Sequence, residues 1–172
     1  MTVLRDAGPA DAAALAELGR RSFTESFGHL YRPADLAAFL ESHSEAKWRA
    51  ELSDPAFSVR LAEDESVAAA YAKIGPPTLP FAPGGRSIEL RQLYVLKPWH
   101  GTGLADALMR WAIAEARRRG ADDLYLSVFV DNARARRFYE RYGFAFVGNY
   151  AFVVGEHEDE DHVMRLSLRE AE

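Results

Sequence analysis

Residues 93–105 read LYVLKPWHGTGLA, and the rest of the chain is arranged around this stretch. It starts as an apolar β-type run, and Lys97-Pro98 can neither continue that strand nor lie inside a helix. Two glycines follow around Thr102, and from Leu104 the apolar residues recur at helical spacing. The pattern predicts a strand, a tight turn and a helix. The first N–H groups of such a helix lack partners and carry partial positive charge, so the turn is an anion site suited to phosphate.

The composition is that of an ordinary globular domain. The 172 residues are 48% hydrophobic and 27% charged, enough for one domain with its own core. The chain has no cysteine, which excludes disulfides, thiolate metal sites and a protein thiol nucleophile. The net charge of −5 argues against a large nucleic-acid interface. No segment has the roughly 18 apolar residues of a membrane helix, and residues 1–18 lack a signal-peptide pattern. We therefore expect a cytoplasmic protein.

Periodicity and chain breakers predict an α+β order of elements. Residues 124–130 are nearly continuously apolar, which favours a central parallel strand, and the breakers in 75–86 exclude a regular element there. The acidic stretch 156–161, flanked by His157 and His162, is expected to be a solvated hairpin tip and not a metal site. We expect strands at 3–5, 57–62, 67–74, 87–96, 124–130, 144–154 and 162–168, and helices at 9–23, from 33, at 45–52, at 104–119 and from 131 to 142.

The order of elements and two motifs resemble the GCN5-related N-acetyltransferase (GNAT) family across nearly the whole chain. The family pattern Gln/Arg-x-x-Gly-x-Gly/Ala is matched by HGTGLA at 100–105, with histidine in the first position, and a second signature by DNARARRFYERYGF at 131–144. The resemblance implies a single acetyltransferase domain over residues 1–172. It also implies a mixed central β-sheet with helices on both faces, and a parallel strand pair that splays apart to take acetyl-CoA as co-substrate.

Cofactor contacts follow from the first motif and, by resemblance, from the second. Glycines let the backbone approach a diphosphate, while a histidine at the corner makes any charge there depend on pH. The resemblance implies that the splayed strand binds the pantetheine arm through its backbone, and that a bulge frees an N–H for the thioester carbonyl. The predicted cofactor-binding residues are Leu93, Tyr94, Val95, His100, Gly101, Thr102, Gly103, Leu104, Ala105, Asn132, Ala135 and Arg136. Asn132 could equally be a plain helix N-cap, and the strand an ordinary buried one.

Two residues are candidates for proton transfer. Tyr139, by its position in the family motif, would protonate the departing coenzyme A thiolate; the alternative is a packed aromatic beside Phe138. Glu89 lies where some family members have the glutamate that takes the proton from the amine. Arg91 could pair with Glu89, and Glu89 would then be a poor base. The amine is expected to attack the thioester directly, without a covalent intermediate.

The acceptor pocket is expected around the first helix-to-helix connection, with the loop at 75–86 able to close over it. The chain looks most similar to bacterial polyamine (spermidine/spermine) N-acetyltransferases in FTESF, IELRQLYV and FVVGEHEDEDHVMRLSL. A small cationic amine is the expected substrate, and protein N-termini, amino acids and aminoglycosides are the alternatives. The predicted substrate residues are Phe23, Glu25, Phe27 and Tyr31.

Other classes of function remain to be weighed against this one. A catalytically silent module of the same fold, which binds coenzyme A or regulates a partner, is the main rival. A kinase or other nucleotide enzyme is disfavoured because no GxxxxGK[ST] motif occurs. The resemblance implies neither a nucleic-acid nor a membrane partner. Homodimers are common in the family, and no feature of this sequence tests that.

Overall fold

The computed structural model describes residues 1–41, 43–80 and 86–169. These residues form one seven-stranded sheet in the order β1-β2-β3-β4-β5-β7-β6, and its pairs are antiparallel except for β4 with β5. The strands are β1 (Thr2–Asp6), β2 (Ser58–Asp64), β3 (Val67–Gly75), β4 (Ser87–Val95), β5 (Asp123–Phe129), β6 (Ala145–Val154) and β7 (His157–Ser167).

Five α-helices cover the two faces of the sheet. Helix α4 shows how the sequence produces this packing, because Leu108, Ala112 and Ala116 recur at intervals of four and are all buried on one side. The helices are α1 (Ala12–Phe27), α2 (Pro33–Glu41), α3 (Glu45–Leu52), α4 (Leu104–Arg118) and α5 (Ala133–Arg141), with 3₁₀ turns at Pro9–Asp11, Gly28–Leu30 and Lys97–Trp99. The predicted α+β fold with a mixed sheet and helices on both faces is confirmed. Residues 81–85 of the predicted loop lie outside the described residues.

The two faces have separate cores. On one face, α4 and α5 pack on the central strands around Leu108, Leu124 and Met164. On the other face, α1 and α3 pack around Leu15 and Tyr71. A smaller aromatic cluster on this second face joins the end of α1 and α2 to β6. Below, the two sides are called the α4 face and the α1 face.

The parallel pairing of β4 with β5 stops after three residue pairs, the last being Glu89 with Tyr125. Beyond that point, residues 90–95 of β4 pair only with β3, and residues 126–129 of β5 pair only with β7, among the residues that the structure describes. The sheet therefore contains a gap that opens toward the carboxyl ends of these two strands. This is the splayed parallel pair that the family resemblance implied.

A bulge in β4 accompanies the gap. Ile74 and Lys73, which are consecutive in β3, pair with Leu90 and Gln92, so Arg91 is an extra residue in β4. A bulge leaves one residue out of the ladder and increases the local twist of the strand. The family resemblance predicted a bulge beside the splayed strands, and its expected role of freeing an N–H for the thioester carbonyl stays a prediction.

The prediction of an acidic hairpin tip at 156–161 is wrong. The turn consists of Gly155 and Glu156 alone, and β7 already begins at His157. The strand starts about five residues earlier than predicted. A strand can include this acidic run because its alternate side chains point to opposite sides of the sheet. Two of these acidic side chains, those of Asp159 and Asp161, are therefore at least partly buried.

The backbone geometry of the β6–β7 turn can be tested by substituting Gly155. Gly155 has φ of +60°, and an added Cβ would lie 2.6 Å from the Cα of Asp35. The Asp35 carboxylate also accepts a hydrogen bond of 3.0 Å from the backbone N–H of Glu156. Because both strain and a backbone clash oppose a side chain, Gly155→Ala should lower the free energy of unfolding by about 2 kcal/mol or more, measured by chemical denaturation.

Gly8→Ala is the matched control. Gly8 has φ of −129°, and a Cβ there would meet no atom within 4 Å. Its substitution should change stability by no more than a few tenths of a kcal/mol. Equal losses of stability in the two variants would contradict the steric account of the turn.

Candidate active site

The turn between β4 and α4 is held in place by its own side chains. The Trp99 indole donates a hydrogen bond of 2.9 Å to Asp64 at the end of β2. The Thr102 hydroxyl donates to the Trp99 carbonyl at 2.5 Å. His100 Nε2 lies 2.7 Å from the Val95 carbonyl, and because a carbonyl only accepts, this nitrogen carries a hydrogen. These side-chain hydrogen bonds hold the turn in place and leave its backbone N–H groups available to a ligand.

The backbone N–H groups at the start of α4 are free. Gly101 and Gly103 have φ of +77° and +87°, a region that glycine enters without strain. A Cβ at either position would meet no atom within 4 Å, so the surface in front of the turn is open. Within the described chain, no N–H group of residues 101–106 donates a hydrogen bond. Free amides at a helix N-terminus attract anions, as the motif predicted.

Helix α5 presents the second motif beside α4. Asn132 is its N-cap and accepts a hydrogen bond of 3.2 Å from the N–H of Ala135. This contact is the one expected of a plain helix N-cap. The hydroxyl of Tyr142 donates to Asp106 and joins the two helices. Arg136 Nε is buried and has no partner among the described residues. The side chain as a whole is half-buried, and this free donor can bind an anion.

Tyr94 of β4 and Tyr139 of α5 are phenols whose pKa values are raised by burial. Leu93 and Val95 pack on the α4 face, whereas Tyr94 packs on the α1 face. Burial raises the pKa of Tyr139 to about 12. Burial also raises the pKa of Tyr94, and negative charge on Tyr139 or Asp161 adds to that increase. The Tyr94 side chain thus lies near a phenol from one face and near a carboxylate from the other.

Glu89 lies at the closed end of the gap and is already engaged. Its side chain is almost fully buried, and Oε1 accepts hydrogen bonds from the Thr78 N–H at 2.7 Å and the Thr78 hydroxyl at 2.9 Å. Oε2 lies 3.9 Å from Arg91 Nε. Sequence analysis identified pairing with Arg91 as the contact that would make Glu89 a poor base.

Three of the four predicted substrate residues form a cluster on the α1 face. The Phe23 ring lies 5.3 Å from that of Phe27 and 5.9 Å from that of Tyr31, centroid to centroid. Phe39 of α2 and Phe152 of β6 complete the cluster. Sequence analysis did not single out these last two residues.

Glu25 is placed elsewhere. Its Oε2 accepts a hydrogen bond of 3.2 Å from the Lys97 N–H, and its Oε1 lies 3.3 Å from Arg21 Nε. It therefore joins α1 to the turn before α4 and does not line the aromatic cluster. The sequence placed Glu25 near Phe23, but two helical steps of about 100° each separate the directions of the two side chains.

Two carboxylates of β7 were missed by sequence analysis. Asp159 accepts a hydrogen bond from the Tyr31 hydroxyl and lies 2.9 Å from His157 Nε2. Asp161 is only 6% exposed, and its Oδ1 has no hydrogen-bond partner in the described ranges. Burial raises the pKa of Asp161 to about 7, the charge of Asp159 adds to the increase, and the Ser127 hydroxyl opposes it.

The alternation of side chains assigns these carboxylates to the α1 face. Residues of β7 with odd numbers share one side and those with even numbers the other. Met164 packs in the core of the α4 face, so Asp159 and Asp161 point to the α1 face, toward Tyr31. The same alternation in the sequence HEDED was the signal that could have found them.

No group of three or more His, Asp or Glu residues in the described ranges could hold a metal ion. In the same ranges, no helix is long and apolar enough to cross a membrane.

Comparison with known proteins identifies the family. Residues 14–144 match the acetyltransferase (GNAT) family. An uncharacterized N-acetyltransferase of Mycobacterium tuberculosis is 34% identical over 159 residues, which cover 92% of this chain and 98% of that protein. The chain therefore belongs to the GNAT family of acetyltransferases. The predicted acetyltransferase activity, with acetyl-CoA as co-substrate, is confirmed at this level.

Solved structures agree with the fold. PaiA N-acetyltransferase of Thermoplasma acidophilum, in complex with coenzyme A, superposes with a TM-score of 0.77 at 17% identity and covers 97% of this chain and 99% of its own. YncA of Salmonella typhimurium, a putative acetyltransferase with acetyl-CoA, gives a TM-score of 0.73 at 24% identity, covering 99% and 95%. At these identities the likeness concerns the fold.

The buried Asp161 carboxylate should make stability depend on pH. Its pKa of about 7 in the folded protein exceeds the ordinary value of 3.8, so the folded state binds more protons, and this residue lowers stability as pH rises from about 4 to 7. Asp161→Asn should therefore raise the free energy of unfolding at pH 8 by on the order of 1 kcal/mol. The gain should vanish at pH 4.

Chemical denaturation at the two pH values measures this difference. Glu160→Gln removes the same charge from the neighbouring exposed position of β7 and should leave stability unchanged at both. A loss of stability in Asp161→Asn at pH 8 would show that the carboxylate is satisfied in the folded protein.

Proposed function

We propose that the protein acetylates a primary amine of a small cationic acceptor, such as a polyamine, by direct attack on the thioester within a ternary complex. One observation carries this proposal. The gap between β4 and β5 joins free helix-terminal amides on the α4 face to an aromatic and acidic cluster on the α1 face. A donor of acetyl groups and an acceptor could therefore reach the same gap from opposite faces of the sheet.

The residues present fit acetyl-CoA. The free N–H groups of residues 101–106 would bind its diphosphate, and Arg136, with its buried unpartnered Nε, would supply positive charge beside it. The unpaired edge of β4 at Leu93, Tyr94 and Val95 would hydrogen-bond the pantetheine arm as an added strand does. His100 and Thr102 would support this site by holding the turn.

Tyr139 is proposed as the acid that protonates the departing thiolate. Its raised pKa keeps the phenol protonated at neutral pH, as a proton donor must be. Glu89 is the base that the sequence predicts. Because Oε1 of Glu89 is occupied by Thr78, a proton would have to be received at Oε2, beside Arg91.

The acceptor is inferred from the α1 face. An aromatic cluster with Phe23, Phe27 and Tyr31 suits the methylene chain of a polyamine, and nearby carboxylates suit its ammonium groups. The overall negative charge favours a cationic substrate in the same way. We also propose a cytoplasmic location, as the sequence analysis led us to expect, and a homodimer, which rests on the family resemblance.

Incubation with acetyl-CoA and a panel of amines tests the function. The panel contains spermidine, spermine, amino acids, an aminoglycoside and a peptide with a free N-terminus, and release of free thiol is followed. We expect turnover with the polyamines at the highest kcat/KM. Tight binding of coenzyme A without turnover on any amine would favour a catalytically silent module instead.

Tyr139→Phe tests the proposed acid. Loss of the phenolic proton should lower kcat by about 10²-fold, within the range typical of general acid catalysis, and should change coenzyme A affinity less than twofold. Tyr142→Phe removes the same atom from the same helix, where the hydroxyl contacts Asp106, and should keep kcat. An unchanged kcat in Tyr139→Phe would rule out the acid role.

A further inference from the structure

We propose that Asp161 of β7, assisted by Asp159, is the group that takes the proton from the acceptor amine, in place of Glu89. This inference rests on the proposed amine acetyltransferase function and specifies the chemistry of its acceptor side. Four features of the structure support it.

The first feature is position. In the register of the sheet, Asp161 of β7 pairs with Phe129, the last residue of β5, and so lies level with the open end of the gap, one strand away from it. Its side chain points to the α1 face, where the aromatic cluster lies. Negative charge on Asp161 or on Tyr139 would raise the pKa of Tyr94, which burial already raises, so the carboxylate and the proposed acid both act on the same tyrosine. An amine between the two faces would have a base on one side and an acid near the sulfur.

The second feature is that one oxygen of the Asp161 carboxylate, Oδ1, is unsatisfied. Asp161 is 6% exposed, its Oδ1 has no hydrogen-bond partner in the described ranges, and no ion pair there includes it. Native proteins rarely leave a buried carboxylate in this state unless a ligand completes it. Glu89 is buried to the same degree, but its oxygens contact Thr78 and Arg91.

The third feature is proton affinity. A primary amine has a pKa of about 10, close to that of lysine, so an ordinary aspartate near 4 is about six units too acidic to accept its proton. The pKa of Asp161 is raised to about 7. The mismatch falls to about three units, which makes the proton transfer roughly a thousandfold more favourable.

The fourth feature is the set of groups that face Asp161. Tyr31 reaches it from the connection after α1, Tyr94 from β4, Ser127 from β5 and Asp159 from β7. These neighbours are neutral or negative at pH 7. The basic group His157, on the same strand, makes its contact with Asp159. The surroundings are therefore electrostatically suited to a cation.

The proton balance is complete with these groups. Asp161 Oδ1 takes one proton from the ammonium group, and the neutral nitrogen attacks the thioester carbonyl carbon. A C–N bond forms and the C–S bond breaks. Tyr139 gives its proton to the sulfur and is restored by the second proton that leaves the nitrogen, through water. Asp161 then releases its proton to solvent, so one proton is produced per turnover.

The pH profile of kcat/KM with spermidine tests the assignment. In the wild type, kcat/KM should fall below pH 7 as Asp161 becomes protonated. In Asp161→Asn, kcat/KM at pH 7 should drop by about 10³-fold, and the limb near pH 7 should disappear. Activity of this variant should instead rise about tenfold per pH unit, approaching the wild type near pH 10, where the amine loses its proton unaided.

Two further variants complete the experiment. Glu160→Gln, on the exposed side of β7, should leave the profile unchanged. Glu89→Gln should keep the limb near pH 7 whatever its effect on the rate, and this result stands even if Asp161→Asn does not fold. The proposal is overturned if Glu89→Gln abolishes the limb, or if Asp161→Asn retains it. Failure of the wild type to acetylate any amine would instead overturn the proposed function itself.

Discussion

The arrangement of the whole molecule depends on where the hydrogen bonds between β4 and β5 stop. Three residue pairs hold the strands together, and the ladder ends at Glu89 and Tyr125. An unpaired strand edge inside a sheet is unfavourable unless something else satisfies it. Here the bulge at Arg91 turns β4 aside while β3 and β7 keep their partners. The result is a stable sheet with a built-in cleft, whose exposed backbone can bind a ligand of extended shape.

The two faces of the sheet carry opposite electrostatic character at this cleft. On the α4 face, free amides of the turn before α4 and the unpaired Arg136 favour anions. On the α1 face, Asp159 and Asp161 favour cations. Because the cleft connects them, the arrangement supports the function proposed above, in which an anionic donor and a cationic acceptor enter from opposite faces. The direct transfer in that proposal needs no covalent intermediate on the protein.

Sequence patterns predicted the parts of the structure that depend on local interactions. The turn at 100–105 and the capped helix at Asn132 follow from glycine, capping and helical spacing. The divergence of β4 and β5 has no local signal, and it came from the family resemblance. The start of β7 was not predicted because its charged residues are typical of an exposed loop. Asp161 is buried there by residues distant in the sequence, and no local pattern shows that burial. Glu25 was misplaced because its direction depends on the rotation of α1.

The short ladder between β4 and β5 also divides the molecule mechanically. One part contains β1 to β4 with the first four helices, and the other contains β5 to β7 with α5. Besides three residue pairs, the two parts share the apolar core of the α4 face and the aromatic cluster of the α1 face. Polar contacts also join them, such as Tyr142 with Asp106, Tyr31 with Asp159, and the Glu156 amide with Asp35. Within the sheet itself, the cleft is the line along which backbone hydrogen bonds between neighbouring strands are missing. A ligand that bonds to both of its edges would act as a missing strand and would restore those bonds.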